Sequence, residues 1–308
     1  MASQLIQAFN IVGTKGSKLA EGRALFVRKM KGKTKMRLSA FADEASVDLA
    51  GQIKALQRNG FTHLEIRGVD GENIKNISYA KIKEIRKALD DGGIKTWSIG
   101  SPMGKDKVDN EFEKQLDDFK RLCEYAEILG CQRMRMFSFH TKDEAAVLDR
   151  LNSFCEVAPK EIIMCHENEK GIFGDDIQSC LKIHKAFPRI KAVFDPANFV
   201  QCEVDTWQAW QTLAPYVDYL HIKDALKDKR VVRAGYGIGN VEKIIEAYAK
   251  QGGHTVTMEP HLMEFTGLAQ LENGESVSQI PVYNTTDEAF DAGACALKAI
   301  LDKLGLEY

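Results

Sequence analysis

The feature that most constrains this chain is an alternation that repeats eight times, a short β-branched or aromatic run followed by a longer segment of helical period. The runs are Met36–Phe41, His63–Val69, Thr96–Ser101, Arg133–Phe139, Ile162–Glu167, Ala192–Asp195, Val217–Ile222 and Thr255–Met258. Between them apolar residues recur at three-to-four spacing, as in Val47, Ile53 and Leu56, or Ile82, Ile85 and Leu89, which puts each set on one helix face. Gly60, Gly92, Gly93, Gly130, Gly252 and Gly253 stand where those helices should stop. Eight such units predict eight parallel strands joined by helices, and about 250 residues suffice to close them into one single-domain (β/α)8 TIM barrel. An open doubly wound sheet usually has fewer repeats and comes second.

The barrel is expected over 36–308, because residues 1–35 are different in kind. They hold eight basic residues and one acidic one, whereas the remainder holds 34 basic against 43 acidic. A solvated basic extension is the reading taken. A nucleic-acid arm is disfavoured, since the acidic body would repel phosphates that a short tail must hold alone. No apolar run approaches the roughly 20 residues that span a bilayer, so no membrane association is expected. The seven cysteines include no C-x-x-C pair, which argues against a disulfide framework or a Cys-rich zinc module and for the reducing cytoplasm.

Barrel active sites lie at the carboxyl ends of the strands, so only those positions need scanning. Strand five ends Cys165-His166-Glu167, strand six Phe194-Asp195, strand seven Leu220-His221-Ile222-Lys223 and strand eight Met258-Glu259-Pro260-His261. A carboxylate after a strand can simply cap the next helix. Four consecutive strands each offering a carboxylate or imidazole point instead to one divalent ion held by Glu167, Asp195, His221 and Glu259, an oxygen-rich set with a single nitrogen. Mn²⁺ is the ion expected first, ahead of Mg²⁺, Co²⁺ or Zn²⁺.

From Met36 to its end the chain resembles the xylose-isomerase-like barrel superfamily of sugar phosphate isomerases and epimerases. That group also holds inosose-type enzymes, ketose 3-epimerases and type IV apurinic endonucleases. The resemblance is carried by MRLSAFADE from Met36, HENEKGIFGD from His166, FDPANF from Phe194, HIKDA from His221 and MEPHL from Met258. It implies that the quartet binds one metal and that Glu167 and Glu259 also serve as the acid/base pair. Chemistry gives an independent reason for that pairing. A metal-chelated carbonyl and hydroxyl acidify the C–H beside them through an enediolate; two carboxylates on opposite faces then remove and return the proton.

The pattern also departs from its relatives. Ketose epimerases carry a His where this chain has Asn198, and an amide binds a hydroxyl without moving protons. The endonucleases need further His residues that are missing here, so nucleic acid is not the expected substrate. Asn198, Lys223, His261 and Arg67 are the candidate substrate contacts. For Arg67 a structural pair with Glu65 is slightly favoured over a substrate contact, and His166 reads as a packed histidine or one that supports the site from behind. Gly235-Tyr236-Gly237-Ile238-Gly239 resembles a dinucleotide fingerprint by letter count alone, although its N–H groups could face a sugar or phosphate oxygen. The segment 261–286 reads as a lid or a subunit contact.

The function expected is a cytoplasmic, divalent-metal-dependent isomerase or epimerase acting on a small carbohydrate or cyclitol, with a homo-oligomer as the expected assembly. Its rival is lyase-type cleavage of 3-oxo-glycosides, as in subunits that cleave C-glycosides, an alternative that leaves a hetero-oligomer open. A non-catalytic ligand-binding barrel comes last, because the carboxylate pair is intact.

Overall fold

The computed structural model describes residues 35–109, 111–266 and 283–308. The extension up to residue 34 and most of the 261–286 segment therefore lie outside the described residues. The eight expected strands are all present: β1 (Arg37–Ala40), β2 (His63–Ile66), β3 (Lys95–Gly100), β4 (Arg133–Met136), β5 (Ile163–Glu167), β6 (Ile190–Phe194), β7 (Val217–Ile222) and β8 (Thr255–Met258). They run parallel in the order 1-8-7-6-5-4-3-2 and close when β1 pairs with β8, Arg37 opposite Thr255 and Ala40 opposite Met258. The chain is thus a single (β/α)8 barrel.

The helices wrap the outside with the apolar faces their spacing predicts. In α1 (Leu49–Arg58), α2 (Tyr79–Asp91) and α3 (Phe112–Leu129) the buried residues include Leu56, then Ile82, Ile85 and Leu89, then Phe119, Leu122 and Ala126. These meet the outward residues of the strands, Leu64, Met134, Met164 and Val256 among them, in one continuous core. Val47, expected on the first helix, precedes it and is exposed, because Asp48 takes the N-cap and accepts from the Gly51 N–H. Among the described residues no helix is long and apolar enough to cross a membrane.

Two strands end earlier than the sequence predicts, for visible reasons. After Met136 the chain leaves the ladder: the Phe137 and Phe139 N–H groups donate to the Met103 and Gly104 carbonyls, and Phe139 turns into the left-handed region at φ 66°. After Ile66 the chain folds into a short antiparallel ribbon, Gly68–Val69 against Glu72–Asn73.

Alternation along the strands sorts the other face into the barrel. Glu65 and Arg67, Arg133 and Arg135, Cys165 and Glu167, Val193 and Asp195, Tyr219, His221 and Lys223, and Thr257, Glu259 and His261 all fall on it by period two. The floor is apolar and aromatic, with Trp97, Cys165, Val193 and Tyr219 packed together. The guanidinium groups of Arg37 and Arg133 lie 4.5 and 4.0 Å from the Trp97 ring centre. Above that floor the interior becomes polar.

Candidate metal centre

Glu167, Asp195, His221 and Glu259 each offer one ligand atom, and these atoms lie within 4.8 Å of one another at the carboxyl ends of β5 to β8. None of the four residues is more than 4% exposed, so their charges must be balanced by protein groups or by a bound ion. His221 Nδ1 lies 3.0 Å from Glu167 Oε1 and 3.3 Å from Glu259 Oε2. Asp195 Oδ2 and Glu259 Oε2 are buried oxygens without a hydrogen bond; Lys223 Nζ, at 3.1 and 3.6 Å, meets them as a charge contact only. Two orphaned carboxylate oxygens beside an imidazole and a third carboxylate are the donor set a divalent ion takes, so the residues fit the metal their sequence pattern implies.

Asp195 combines the capping and the ligand readings. Its Oδ1 accepts from the Asn198 N–H and caps the short helix Pro196–Gln201, while Oδ2 faces the cluster. Asn168 fixes this position by donating to the Asp195 carbonyl and accepting from its N–H, at 2.8 and 2.9 Å. Asn198 Nδ2 donates to Asn168 O at 2.9 Å and to Glu167 Oε1 at 3.3 Å, so this side chain supports a ligand carboxylate.

Cations surround the quartet. Arg67 does not pair with Glu65. Its guanidinium grips Asp43 with Nε and Nη2 at 2.9 and 3.0 Å, reaches Glu259 Oε1 with Nη1 at 2.7 Å, and touches Glu44 at 3.3 Å. It also lies 4.3 Å from the Phe41 ring centre. His261 sits by the same carboxylates, its Nε2 at 3.4 Å from both Glu44 Oε1 and Glu259 Oε1. His166 is turned away from the site, as its alternation predicts, and is buried against Ser138 and His184.

The field follows from these contacts. Burial alone would push the His221 imidazole down, but the carboxylates of Glu167 and Glu65 overcome it and hold the ring well above its ordinary value. For Lys223, burial is likewise outweighed by Asp195, Glu259 and Glu169, which raise it. Burial would raise Glu259, but Lys223 and His261 overcome it and hold this carboxyl well below the usual range. Glu44 is raised by its burial.

Sequence reasoning missed Arg135, Lys105, Glu169, Asp43 and Glu44. Arg135, on β4, is 2% exposed; its Nε lies 3.3 Å from Glu167 Oε2 and its Nη1 donates to the Ser101 carbonyl. The Arg-x-Arg alternation of Arg133 and Arg135 within an apolar strand was the available signal, because period two puts both inside. Lys105 pairs with Glu169 at 2.7 Å beside the Phe137 ring. Arg67 and Lys105 line both the small central cavity, with Arg135, Glu167 and Glu259, and an adjoining cavity of 230 Å³ that reaches Phe265.

The glycine-rich loop is engaged internally. Asp224 accepts the N–H groups of Gly235 and Gly237 on one oxygen and those of Gly239 and Ala225 on the other, at 2.9–3.0 Å. The expectation that these N–H groups face a sugar or phosphate oxygen is therefore corrected for Gly235, Gly237 and Gly239. A Cβ on Gly237 would come within 2.3 Å of Asp224 Oδ1, which explains the glycine there.

Solved structures share this architecture. D-allulose 3-epimerase from Methylomonas sp. aligns with a TM-score of 0.69 at 14% identity, covering 87% of this chain and 99% of that one. The probable 3-DHS dehydratase AsbF of Bacillus anthracis gives 0.66 at 16% identity, over 86% and 98% of the two chains. A xylose isomerase-like barrel protein of Mycobacterium smegmatis in complex with magnesium gives 0.62 at 16%, over 87% and 98%. At such identities these likenesses show the fold alone. No curated protein matches. The family described as xylose isomerase-like TIM barrel matches residues 53–277, and this chain belongs to it.

Proposed function

We propose that the chain is a divalent-metal-dependent isomerase or epimerase of a small sugar or cyclitol. The observation that carries the reading is the buried quartet Glu167, Asp195, His221 and Glu259, with two of its carboxylate oxygens lacking hydrogen bonds. Family membership and the likeness to an epimerase fold support it. Mn²⁺ is the ion proposed first, since the set offers three carboxylates and one imidazole.

The four residues would hold the ion. When bound, it draws charge from a substrate carbonyl and neighbouring hydroxyl and so acidifies the C–H between them. The proton is taken and returned by the chain's own carboxylates. Glu259, on β8, is kept ionised by Lys223 and His261 and accepts a proton on a carboxylate oxygen. Glu167, on β5, serves the other face, with Arg135 and Asn198 fixing its two oxygens. Return of the proton to the opposite face of the same carbon inverts it; return to the adjacent carbon moves the carbonyl. Arg67 and Lys105 stand where substrate oxygens enter from the adjoining cavity, and Phe137 and Phe265 line that path.

Elemental analysis followed by a screen in D₂O over ketoses, inososes and 3-oxo-glucosides tests the proposal. About one ion per chain and deuterium at a carbon next to a carbonyl, with no bond cleaved, are expected. Release of an aglycone from a 3-oxo-glucoside, with no exchange into any simple sugar, would replace the isomerase with the lyase while leaving the metal centre standing.

A further inference from the structure

We infer that Glu65, on β2, is a positioning residue for the metal centre: it takes the Nε2–H of His221 and so dedicates Nδ1 to the ion. The inference rests on the metal reading above. Glu65 is fully buried, and its carboxylate is reached from three directions. Tyr219 OH donates to Oε1 at 2.8 Å, Thr257 Oγ1 donates to Oε2 at 2.9 Å, and His221 Nε2 stands 3.3 Å from Oε2. Ser98 Oγ, 3.3 Å from Tyr219 OH, extends the chain of hydroxyls to β3. Among the described residues no lysine or arginine forms an ion pair with Glu65.

The donor and acceptor chemistry decides the imidazole's orientation. Ionised carboxylates only accept, and they face both ring nitrogens, Glu65 Oε2 at Nε2 and Glu167 Oε1 at Nδ1. Glu167 belongs to the ligand set and Glu65 does not, so with an ion at Nδ1 the one remaining ring proton is the Nε2–H that Glu65 accepts. A neutral imidazole has one N–H; placing it on Nε2 leaves the lone pair on Nδ1. That nitrogen faces Glu167 Oε1 and Glu259 Oε2, two of the other ligand oxygens. The ring is also boxed sterically, edge-on to Phe41 at 5.2 Å and against Tyr219 at 5.5 Å between centres. Tyr219 is thus both a wall of the imidazole and a donor to the carboxylate that orients it. The anionic acceptor makes the imidazole a more basic ligand, and loss of such partners typically costs about 10–100-fold in metal affinity.

This role separates Glu65 from a merely buried acid. In Glu65→Gln the side chain keeps its size but presents an amide that can offer N–H as well as C=O, so the ring is no longer committed to one tautomer. The test measures Mn²⁺ affinity by calorimetry for wild type, Glu65→Gln and Thr257→Val, with thermal unfolding in chelator as the fold control. Histidine-¹⁵N spectra of the Zn²⁺-loaded protein read which His221 nitrogen is metal-bound. We expect zinc on Nδ1 and a proton on Nε2 in wild type, and about 10–100-fold weaker Mn²⁺ binding in Glu65→Gln. Thr257→Val, which leaves the imidazole contact in place, should weaken binding less than Glu65→Gln does. Zinc on Nε2, or Glu65→Gln binding as tightly as wild type, would overturn the inference while sparing the metal centre. A wild type that takes up no divalent ion would overturn both.

Discussion

Arg67 gives the sharpest test of how this site balances its charge. Its guanidinium ties Asp43, Glu44 and Glu259 through four hydrogen bonds of 2.7–3.3 Å, with Arg67 itself 3% exposed. Each bond between charged groups contributes about 1.5–3 kcal/mol. Arg67→Met, however, also removes the cost of burying the guanidinium, so the bonds do not simply add. What remains is a broken buried ion pair, for which about 3–5 kcal/mol of lost stability is expected. Urea unfolding at pH 7.5, with metal chelated, measures it. The sign of the pH dependence is fixed as well. Glu44 is already raised by burial and loses a cation that opposed that shift. The folded variant therefore binds a proton above the pKa at which the unfolded chain does, and stability lost at pH 7.5 returns as pH falls. The recovery relative to wild type is up to about 1.4 kcal/mol per pH unit while one proton is taken up. A variant within 1 kcal/mol of wild type, or one whose deficit grows on going to pH 5.5, would refute this account of Arg67.

Other perturbations reach the metal, the proton and the outer layer in turn. His221→Ala should lose most of its metal by elemental analysis yet keep wild-type circular dichroism, because the ligand lies above the packed floor; full retention of metal would remove His221 from the ligand set. Glu259→Gln should still bind substrate while turnover falls at least about 10²-fold, and near-normal turnover would dismiss it as the base. His184, stacked on Tyr216 and bonded to the Ile190 carbonyl, is pulled by burial from 6.5 to about 4. The unfolded chain then binds more protons between those values, so stability is complete above pH 6.5 and falls towards pH 4, by up to about 3 kcal/mol. His184→Gln should flatten that slope in urea titrations, and an unchanged slope would count against it.

The strands were legible because each run is short, apolar and followed by a helical period, whereas the register shifts at Leu64/Glu65 and Ala192/Val193 have no counterpart in that pattern. The four ligand candidates were legible for a related reason: a polar residue directly after a buried strand must be explained. Arg67 and Glu65 show where this reading stops. Sharing a face at i and i+2 suggests a pair, and two long side chains about 6.6 Å apart along a strand could reach each other, but both are claimed by other partners. Their partners are across the barrel instead, on β7 and β8 and in the turn after β1, distances that closure of the barrel alone creates. Asp224 illustrates the same limit in a loop, since its four donors lie between one and fifteen residues away and only the folded turn brings them together.

The layering of the barrel explains how so many charges are tolerated. TIM barrels commonly fill their interior with branched aliphatic side chains. Here the apolar filling is a floor of Trp97, Cys165, Val193 and Tyr219, more aromatic than aliphatic. Above it come Glu65, Tyr219 OH and Thr257, then Arg135, Glu167, His221, Glu259 and Arg67, each buried and nearly all hydrogen-bonded across strands. Such a network contributes little net stability, because desolvation offsets attraction. The apolar cluster between strands and helices, from Leu38 and Leu64 to Leu297 and Leu301, must therefore carry most of the folding free energy. Separating the two jobs by face is what the alternation permits: even-numbered positions on most strands hold the fold, and odd-numbered ones are left to build a charged centre whose geometry is set by a rigid frame.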